Sequence, residues 1–525
     1  MCELCNFLKE ICKNFACPEA YLYLELWQII QRMKALFIQP GYPDTFWSLR
    51  HALRFISKKA VYPPLGLMTV SAMAPVGWTK KLVDLNASSL SDEQIIWADI
   101  VLISAMSVQS ASVFEIIAKC KSLNKKMVGG GPLFTEEPEK FDDVDYLVLN
   151  EAEITFPLFL ADLEKGVAKH VYQTEEFADL SESPVPDYSL INNFHYASHS
   201  IQFSRGCPFN CEFCDITALL GHKVRTKTTQ QILAELTKIT ETGWKGGVFF
   251  VDDNFIGNKK ILKQELLPAV ISWMEKNKYP FTFITEASIN LADDEELMQM
   301  MVRAGFIKVF VGIETPDELS LAECNKTQNH NRDLLSSVKT IQAAGMEVAA
   351  GFIVGFDNDK PSIFQRQIDF IQKSGIITAM VGLLNAPRKT QLYKRLEKEG
   401  RIVSDFSGDP TGYAINFVPK MDLHELMTGY QKIISGIYSS EMYHKRVLSF
   451  LKSYNPPLLG GNHLSFDKIM ALIKSAVIIG ILEKNRKYYW ELLFWSLFRK
   501  PKVFPLAVTY SIQGYHYRKI FRNIT

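Results

Sequence analysis

The chain is short of several things, and each shortage excludes a class. No stretch of its 525 residues reaches the ~18 uncharged apolar residues of a membrane-spanning helix; the best candidates, around Ala476 to Leu482 and Leu492 to Phe498, are too brief. The opening MCELCNFLKEICKNF carries Glu3, Lys9, Glu10 and Lys13 where a secretory signal needs an unbroken apolar core, so the expected location is cytoplasmic, at most peripheral to the cytoplasmic membrane. Neither sign of charge is in surplus: 58 Lys plus Arg against 57 Asp plus Glu leaves +1, and with no global field nucleic acid is not expected as a partner. Histidine is scarce, and His51 is the only one between Met33 and Asn150. Without a secretory signal, the 9 cysteines read as metal ligands or reduced thiols, not as a disulfide framework. What remains is a globular composition, 47% hydrophobic and 12% aromatic, long enough for two or three domains.

From Met33 the runs KALFI, TKKLVDL, DIVLIS, KKMVGGG and VDYLVLN alternate with helical segments, the pattern of a parallel sheet covered on both faces. Residues 33–160 are therefore expected to form an α/β, doubly wound, Rossmann-like domain whose ligand sits outside the carboxyl ends of the strands. A second series, HSIQFSR, GGVFFVDD, FTFITEAS, IKVFVGIE, EVAAGFIVGF and ITAMVGLL, predicts a partial (β/α)6 barrel over 199–400, with chemistry at the same ends. Residues 161–198, containing ESPVPDY, are expected as a linker or lid, and 401–525 as a mainly helical extension. Residues 1–32, with Cys2, Cys5, Cys12 and Cys17, precede the core; they offer a second metal site only if an ordered scaffold makes the thiolates converge. Residues 466–525 hold eleven Lys or Arg against three Asp or Glu, interleaved with aromatics in RKYYWELLFWSLFRKPK. That segment suits either contact with an anionic membrane surface or a terminal helix pair packing Trp490, Leu493, Phe494 and Leu497 onto the barrel.

The informative constellation is SRGCPFNCEFCDI, which sets Cys207, Cys211 and Cys214 on one loop after the first barrel strand. A four-iron cubane held by three cysteines keeps one iron open to an exogenous ligand, whereas electron carriers normally close all four corners. A structural zinc site is the alternative, but it wants a fourth ligand, and the nearest imidazole, His222, lies eight residues beyond Cys214.

The array in this strand context resembles the radical S-adenosylmethionine superfamily. The resemblance implies a [4Fe-4S] cluster on Cys207, Cys211 and Cys214, S-adenosyl-L-methionine chelated at the open iron, and a one-electron reductant such as a flavodoxin or ferredoxin. It also implies S-adenosylmethionine contacts at Asp252 and Asp253 for the methionine ammonium, at Glu286 and Ser288 for the ribose or methionyl part, at Glu314, and along Gly351 to Gly355 for the adenine. A doubly wound domain upstream is similar to that of the cobalamin-binding members, with landmarks PPLGL (Pro64, Leu65), ISAMSVQ (Ser104, Met106, Gln109), GGGP (Gly129, Gly130) and NEAE (Glu151). Where relatives carry a cobalt-ligating His, VDLNASS offers Asp84, Leu85 and Asn86, so cobalamin is expected without histidine ligation. TFWSLRHALRFISKKAVYPPLGLMTV and KVRTKT resemble the hopanoid-methylase-like subgroup, whereas LLNAPRKTQLY places Arg388 and Lys389 where relatives have Pro and Gly. These likenesses imply a C-methyltransferase acting on an unactivated carbon of a small or lipid-like molecule. The rivals are a cobalamin-dependent rearrangement or cyclisation without methyl transfer, and a non-catalytic iron–sulfur carrier or cobalamin sensor.

Overall fold

The computed structural model describes residues 32–457 and 466–524; Cys2, Cys5, Cys12 and Cys17 lie outside the described residues. The chain divides into two compact units, one containing 64–190 with the strand before Gly41, the other 42–63 and 191–525.

In the first unit β1 (Lys34–Gln39), β2 (Thr79–Asp84), β3 (Ile100–Ser104), β4 (Lys126–Gly130), β5 (Tyr146–Val148) and β6 (Val171–Tyr172) form one sheet in the order β2-β1-β3-β4-β5-β6, every pairing parallel. Both faces are covered, which explains why β1 and β3 read as unbroken apolar runs. One layer is the helix Ser110–Ser122, burying Val113, Ile116, Ile117 and Cys120 at helical spacing; the other includes Leu67, Phe156 and Phe159. The order reverses between β1 and β3, the switch point beside whose carboxyl ends sheets of this kind bind ligands.

In the second unit β7 (His199–Ile201) is followed by a two-stranded hairpin of β8 (Ser204–Arg205) and β9 (Arg225–Thr226). Then come β10 (Gly246–Phe250), β11 (Phe281–Glu286), β12 (Phe306–Glu314), β13 (Glu347–Val354) and β14 (Ala379–Leu383). The sheet is parallel and six-stranded, in the order β14-β13-β12-β11-β10-β7. Because β14 and β7 are not paired, it is an open barrel, as the alternating series predicts. The helices Leu423–Tyr438, Ser440–Ser453, Phe466–Val477, Arg486–Arg499 and Phe504–Ile520 complete the unit.

Two boundaries differ from those read off the sequence. Residues 42–63, placed by the pattern within the first domain, belong to the second unit: the Phe46 ring stacks on Tyr517 at 4.6 Å and its carbonyl bonds His516 Nε2 at 3.0 Å. The expected linker 161–198 is split: the helix Ala152–Glu164 and β6 lie in the first unit, and residues from Ile191 on lie in the second. A periodicity reading cannot see either, because both are decided by which surface a non-repeating segment meets.

Candidate functional site

The loop bearing Cys207, Cys211 and Cys214 leaves β8 through Gly206, whose φ of +89° suits glycine; a Cβ there would lie 2.7 Å from the Lys223 carbonyl oxygen. The loop is tied on three sides. Cys207 N donates to the Gly221 carbonyl at 3.2 Å and Glu212 N to that of Cys324 at 3.0 Å, while the Glu212 carbonyl accepts from Leu392 N at 2.9 Å. The Glu212 carboxylate takes a two-pronged bond from Arg395, Nε at 2.6 Å and Nη2 at 3.1 Å. All three cysteines are free thiols, and Gln328 Nε2 donates to Cys211 Sγ at 3.8 Å. Among the described residues no three His, Cys, Asp or Glu side chains converge as a single metal ion would need.

Behind the loop, the carboxyl ends of β10, β11 and β12 deliver acids. Asp252 is fully engaged: Oδ1 accepts from Ser204 N and Ser204 Oγ and Oδ2 from Phe203 N at 3.1 Å. Burial pushes it up to about 6 against those bonds, and it fastens β10 to the strand that carries the cysteines. Asp253 Oδ2 is buried without a hydrogen-bond partner, and burial with the Asp252 charge pushes that carboxyl up to about 7. Glu286 is pushed to about 8 by burial and then by Asp253 and Asp252. Ser288 bonds Asn254 and Asn290, at 3.2 and 2.6 Å, so it joins two loops and is not left open to a ligand. Glu314 has φ +62°, unusual for a side chain of its kind, at a register break between β12 and β13. Its Oε1 lies 2.6 Å from Lys326 Nζ. Although burial opposes it, Glu314 and then Cys211 hold that ammonium above its ordinary range. Gly351 lies within β13 under the Phe310 ring, and only Gly355 follows the strand end, where its N–H bonds Asp359 Oδ2 at 2.9 Å.

Lys326, Gln328 and the Glu212–Arg395 pair are absent from the sequence reading. Lys326 and Gln328 lie on ECNKTQN, and Arg395 on the helix Gln391–Lys398; no periodicity or spacing singles these out, and tertiary placement alone brings them beside the cysteine loop. The site gathers more carboxyls than cations, with Glu286 and Glu314 near Lys326 and Asp253 near Arg205, a surplus that suits a cationic ligand. Three free thiols on one fixed loop and an orphaned acid nearby thus fit a three-thiolate cluster with a cation at its side.

In the first unit several residues expected at a cofactor also make internal contacts. Gln109 is buried; its Nε2 donates to the Pro40 carbonyl at 2.6 Å and its Oε1 accepts from Met106 N at 2.9 Å, clamping together the loops after β1 and β3. A Cβ on Gly129 would lie 2.6 Å from the Phe134 ring and one on Gly130 2.9 Å from the Val148 carbonyl, so both glycines answer to packing. Buried Glu151 accepts from Ala178 N at 2.8 Å. Asn86 Nδ2 donates to Asp84 Oδ1 at 2.7 Å and to the Pro40 carbonyl at 3.2 Å. Pro64 is buried and Leu65 half-buried at the start of the helix Leu65–Met73. Ser104 is half-buried at the end of β3, and Met106 shortly after it is 52% exposed. His51 belongs to the other unit and bonds Asp44 at 2.8 Å.

A family model described as the radical SAM superfamily matches residues 201–371, and one described only as a domain of unknown function matches 390–525. The chain is 39% identical over 501 residues to the uncharacterized methyltransferase sll1242 of Synechocystis sp., covering 94% of this chain and 93% of that one. It is 35% identical over 377 residues to a hopanoid C-2 methylase of Rhodopseudomonas palustris, covering 71% of each. Among solved structures, OxsB, a cobalamin-dependent S-adenosylmethionine radical enzyme with aqua-cobalamin bound, superposes with a TM-score of 0.62 over 95% of this chain and 81% of its own, at 15% identity, a likeness of fold.

Proposed function

The chain belongs to the cobalamin-binding radical S-adenosylmethionine enzyme family, in its hopanoid-methylase-like subgroup, and on that premise we propose that it methylates an unactivated carbon of a lipid-like molecule. The observation that carries this reading is the pairing of a fixed three-thiol loop with a buried, acid-rich basin at the carboxyl ends of an open parallel barrel. When bound, the cluster with S-adenosylmethionine supplies a hydrogen-abstracting 5′-deoxyadenosyl radical, and cobalamin carries the methyl group. Cys207, Cys211 and Cys214 would hold the cluster, and Gln328 and Lys326 would orient and offset the charge of its thiolates. Asp253, freed by the engagement of Asp252, would receive the methionine ammonium, with Glu286 and the strained Glu314 shaping the rest of the basin and Gly355 edging it. Burial of these acids keeps water away from the reacting centre.

In the first unit, the switch point where the strand order reverses, beside Ser104 and Met106, would take cobalamin. No imidazole is offered there: Asn86 occupies the position after β2 and is spent on Asp84 and Pro40. A small redox protein of the flavodoxin or ferredoxin class would supply the electron. A lipid-like substrate also suits a peripheral membrane contact; no helix among the described residues is long and apolar enough to cross a membrane.

The test is anaerobic turnover of the reconstituted enzyme with methyl-labelled S-adenosylmethionine, a one-electron reductant and a lipid extract. Equal yields of S-adenosylhomocysteine and 5′-deoxyadenosine, with label in the lipid fraction, are expected. 5′-Deoxyadenosine without S-adenosylhomocysteine would move the assignment to a rearrangement, and neither product to a carrier or sensor.

A further inference from the structure

The helix Phe466–Val477, its continuation Ile478–Leu482 and the helix Arg486–Arg499 form a hairpin with one covered and one uncovered side. The covered side sends Ala471, Ile479, Tyr489 and Leu493 into a core with Val508 and Ile512. Bonds from Trp490 Nε1 to the Gly480 carbonyl and between Ser475 Oγ and Tyr489 OH, both 2.9 Å, hold the two helices side by side. On the other side Ile473, Val477 and Ile481 recur every four residues and are 51, 45 and 56% exposed. In the second helix the rings of Trp490, Phe494 and Phe498 stack in succession, at 5.6 and 6.4 Å, with Phe494 52% and Phe498 76% exposed. The two helices meet where Gly480 faces Trp490, and each presents its own exposed apolar row.

The charges beside these rows are mostly basic, with the exposed Glu491 the one acid not set against a Lys or Arg. Each acid of the segment is turned to a base or imidazole: Asp467 to Lys58 at 4.0 Å, Glu483 to Lys519 at 3.7 Å and Glu491 to His444 at 3.4 Å. Arg486, Lys487 and Arg499 are exposed at the two ends of the second helix. Lys487 occupies a first turn that contains no acid, where the helix dipole disfavours cations, so helix stability does not account for it; Arg486 beside it is exposed while one Nη reaches the Ile481 carbonyl at 3.2 Å. Lys500 is different: its Nζ donates to the carbonyls of Leu451, Lys452 and Tyr454 and caps the helix Ser440–Ser453.

We propose that these two rows dock on an anionic lipid surface, with Phe494 and Phe498 entering the headgroup region and Arg486, Lys487 and Arg499 meeting phosphates. A second copy of the chain on the same rows would bring like charges together, which favours the lipid. The proposal goes beyond methyl transfer and needs no bound cofactor.

Flotation of the full chain tests it with vesicles of phosphatidylcholine alone or mixed with phosphatidylglycerol. Binding to the anionic vesicles is expected, weakening as the screening length falls from ~10 Å at 0.1 M salt to ~3 Å at 1 M. The R486Q/K487Q/R499Q variant is expected to lose roughly a hundred-fold in partition, about five-fold per base. F494S/F498S is expected to weaken binding to both vesicle types. Unchanged melting confirms that each variant folds; the salt arm on the unaltered chain needs neither. Absence of binding to anionic vesicles, partition indifferent to salt, or self-association lost in F494S/F498S without vesicle binding would each overturn the proposal. Turnover on detergent-dispersed lipid is scored separately, so failure here leaves the methyl-transfer reading standing, and the reverse.

Discussion

At the scale of single residues, the site depends on how each buried charge is matched. Arg395 illustrates it: the guanidinium spans Glu212, which lies between Cys211 and Cys214 in the chain, and Asp357 at 3.0 Å. Arg395→Met would leave a mostly buried carboxylate unpaired, at a cost of about 2 kcal/mol, and loosen the loop. Lower iron and sulfide per chain after anaerobic reconstitution, with a fall in melting temperature, is expected; Arg395→Lys should recover part of both. Replacing Cys207, Cys211 and Cys214 together by Ala should abolish the cluster's iron content and electron paramagnetic signal. Asp253 and Glu286, at about 7 and about 8, sit above their ordinary 3.8 and 4.5. A raised acid contributes stability that is whole below its unfolded value and lost as pH climbs through the folded one. Stability of the ligand-free protein should therefore fall between pH ~4 and ~8, by up to about 1.4 kcal/mol per pH unit for each proton held. Asp253→Asn should remove one proton's share of that slope in denaturation measured across the range, and binding of the cationic S-adenosylmethionine should release protons near neutrality. Parallel slopes for variant and parent would count against the assignment.

Among the elements, the glycine run at the end of β4 shows two readings that composition cannot separate. Glycines after a strand signal close approach, but whether of a cofactor or of the protein's own atoms depends on what lies opposite. Here the Phe134 ring lies 2.6 Å from where a Gly129 Cβ would be. Gly129→Ala should therefore destabilise the first unit by about 1–3 kcal/mol through overpacking. Pairing it with Phe134→Leu should restore much of the loss in chemical denaturation, which a purely cofactor-contacting glycine would not do. The same distinction runs through the predicted strands. All those expected in both series form, because runs such as KALFI and EVAAGFIV are buried on both faces and need no partner information to be recognised. The two-residue strands β6, β8 and β9 were not legible, since so short a run has no period.

For the whole molecule, the chain crosses from the first unit to the second and back before settling, and residues 42–63 are an integral part of the second. Phe46 is wholly buried there, so Phe46→Ala should cost about 3–5 kcal/mol. The loss should appear as faster hydrogen exchange in the helix Phe504–Ile520 and not in the sheet of the first unit. The sequence by itself determined the α/β class, the two parallel sheets and the three-thiol loop, because these rest on local periodicity and on spacing within a dozen residues, and its motifs carried the resemblance to the family. Tertiary structure alone decided that Asp252 is spent on Ser204 while Asp253 is free, that Lys326 and Arg395 attend the cysteines, that Gln109 and Asn86 brace loops, and that Phe494 faces outward while Leu493 faces inward. Each of these is a pairing between residues distant in sequence, or a choice between neighbours of like chemistry, and the free energy that selects among them comes from burial and hydrogen-bond geometry, which exist only once the chain has closed on itself.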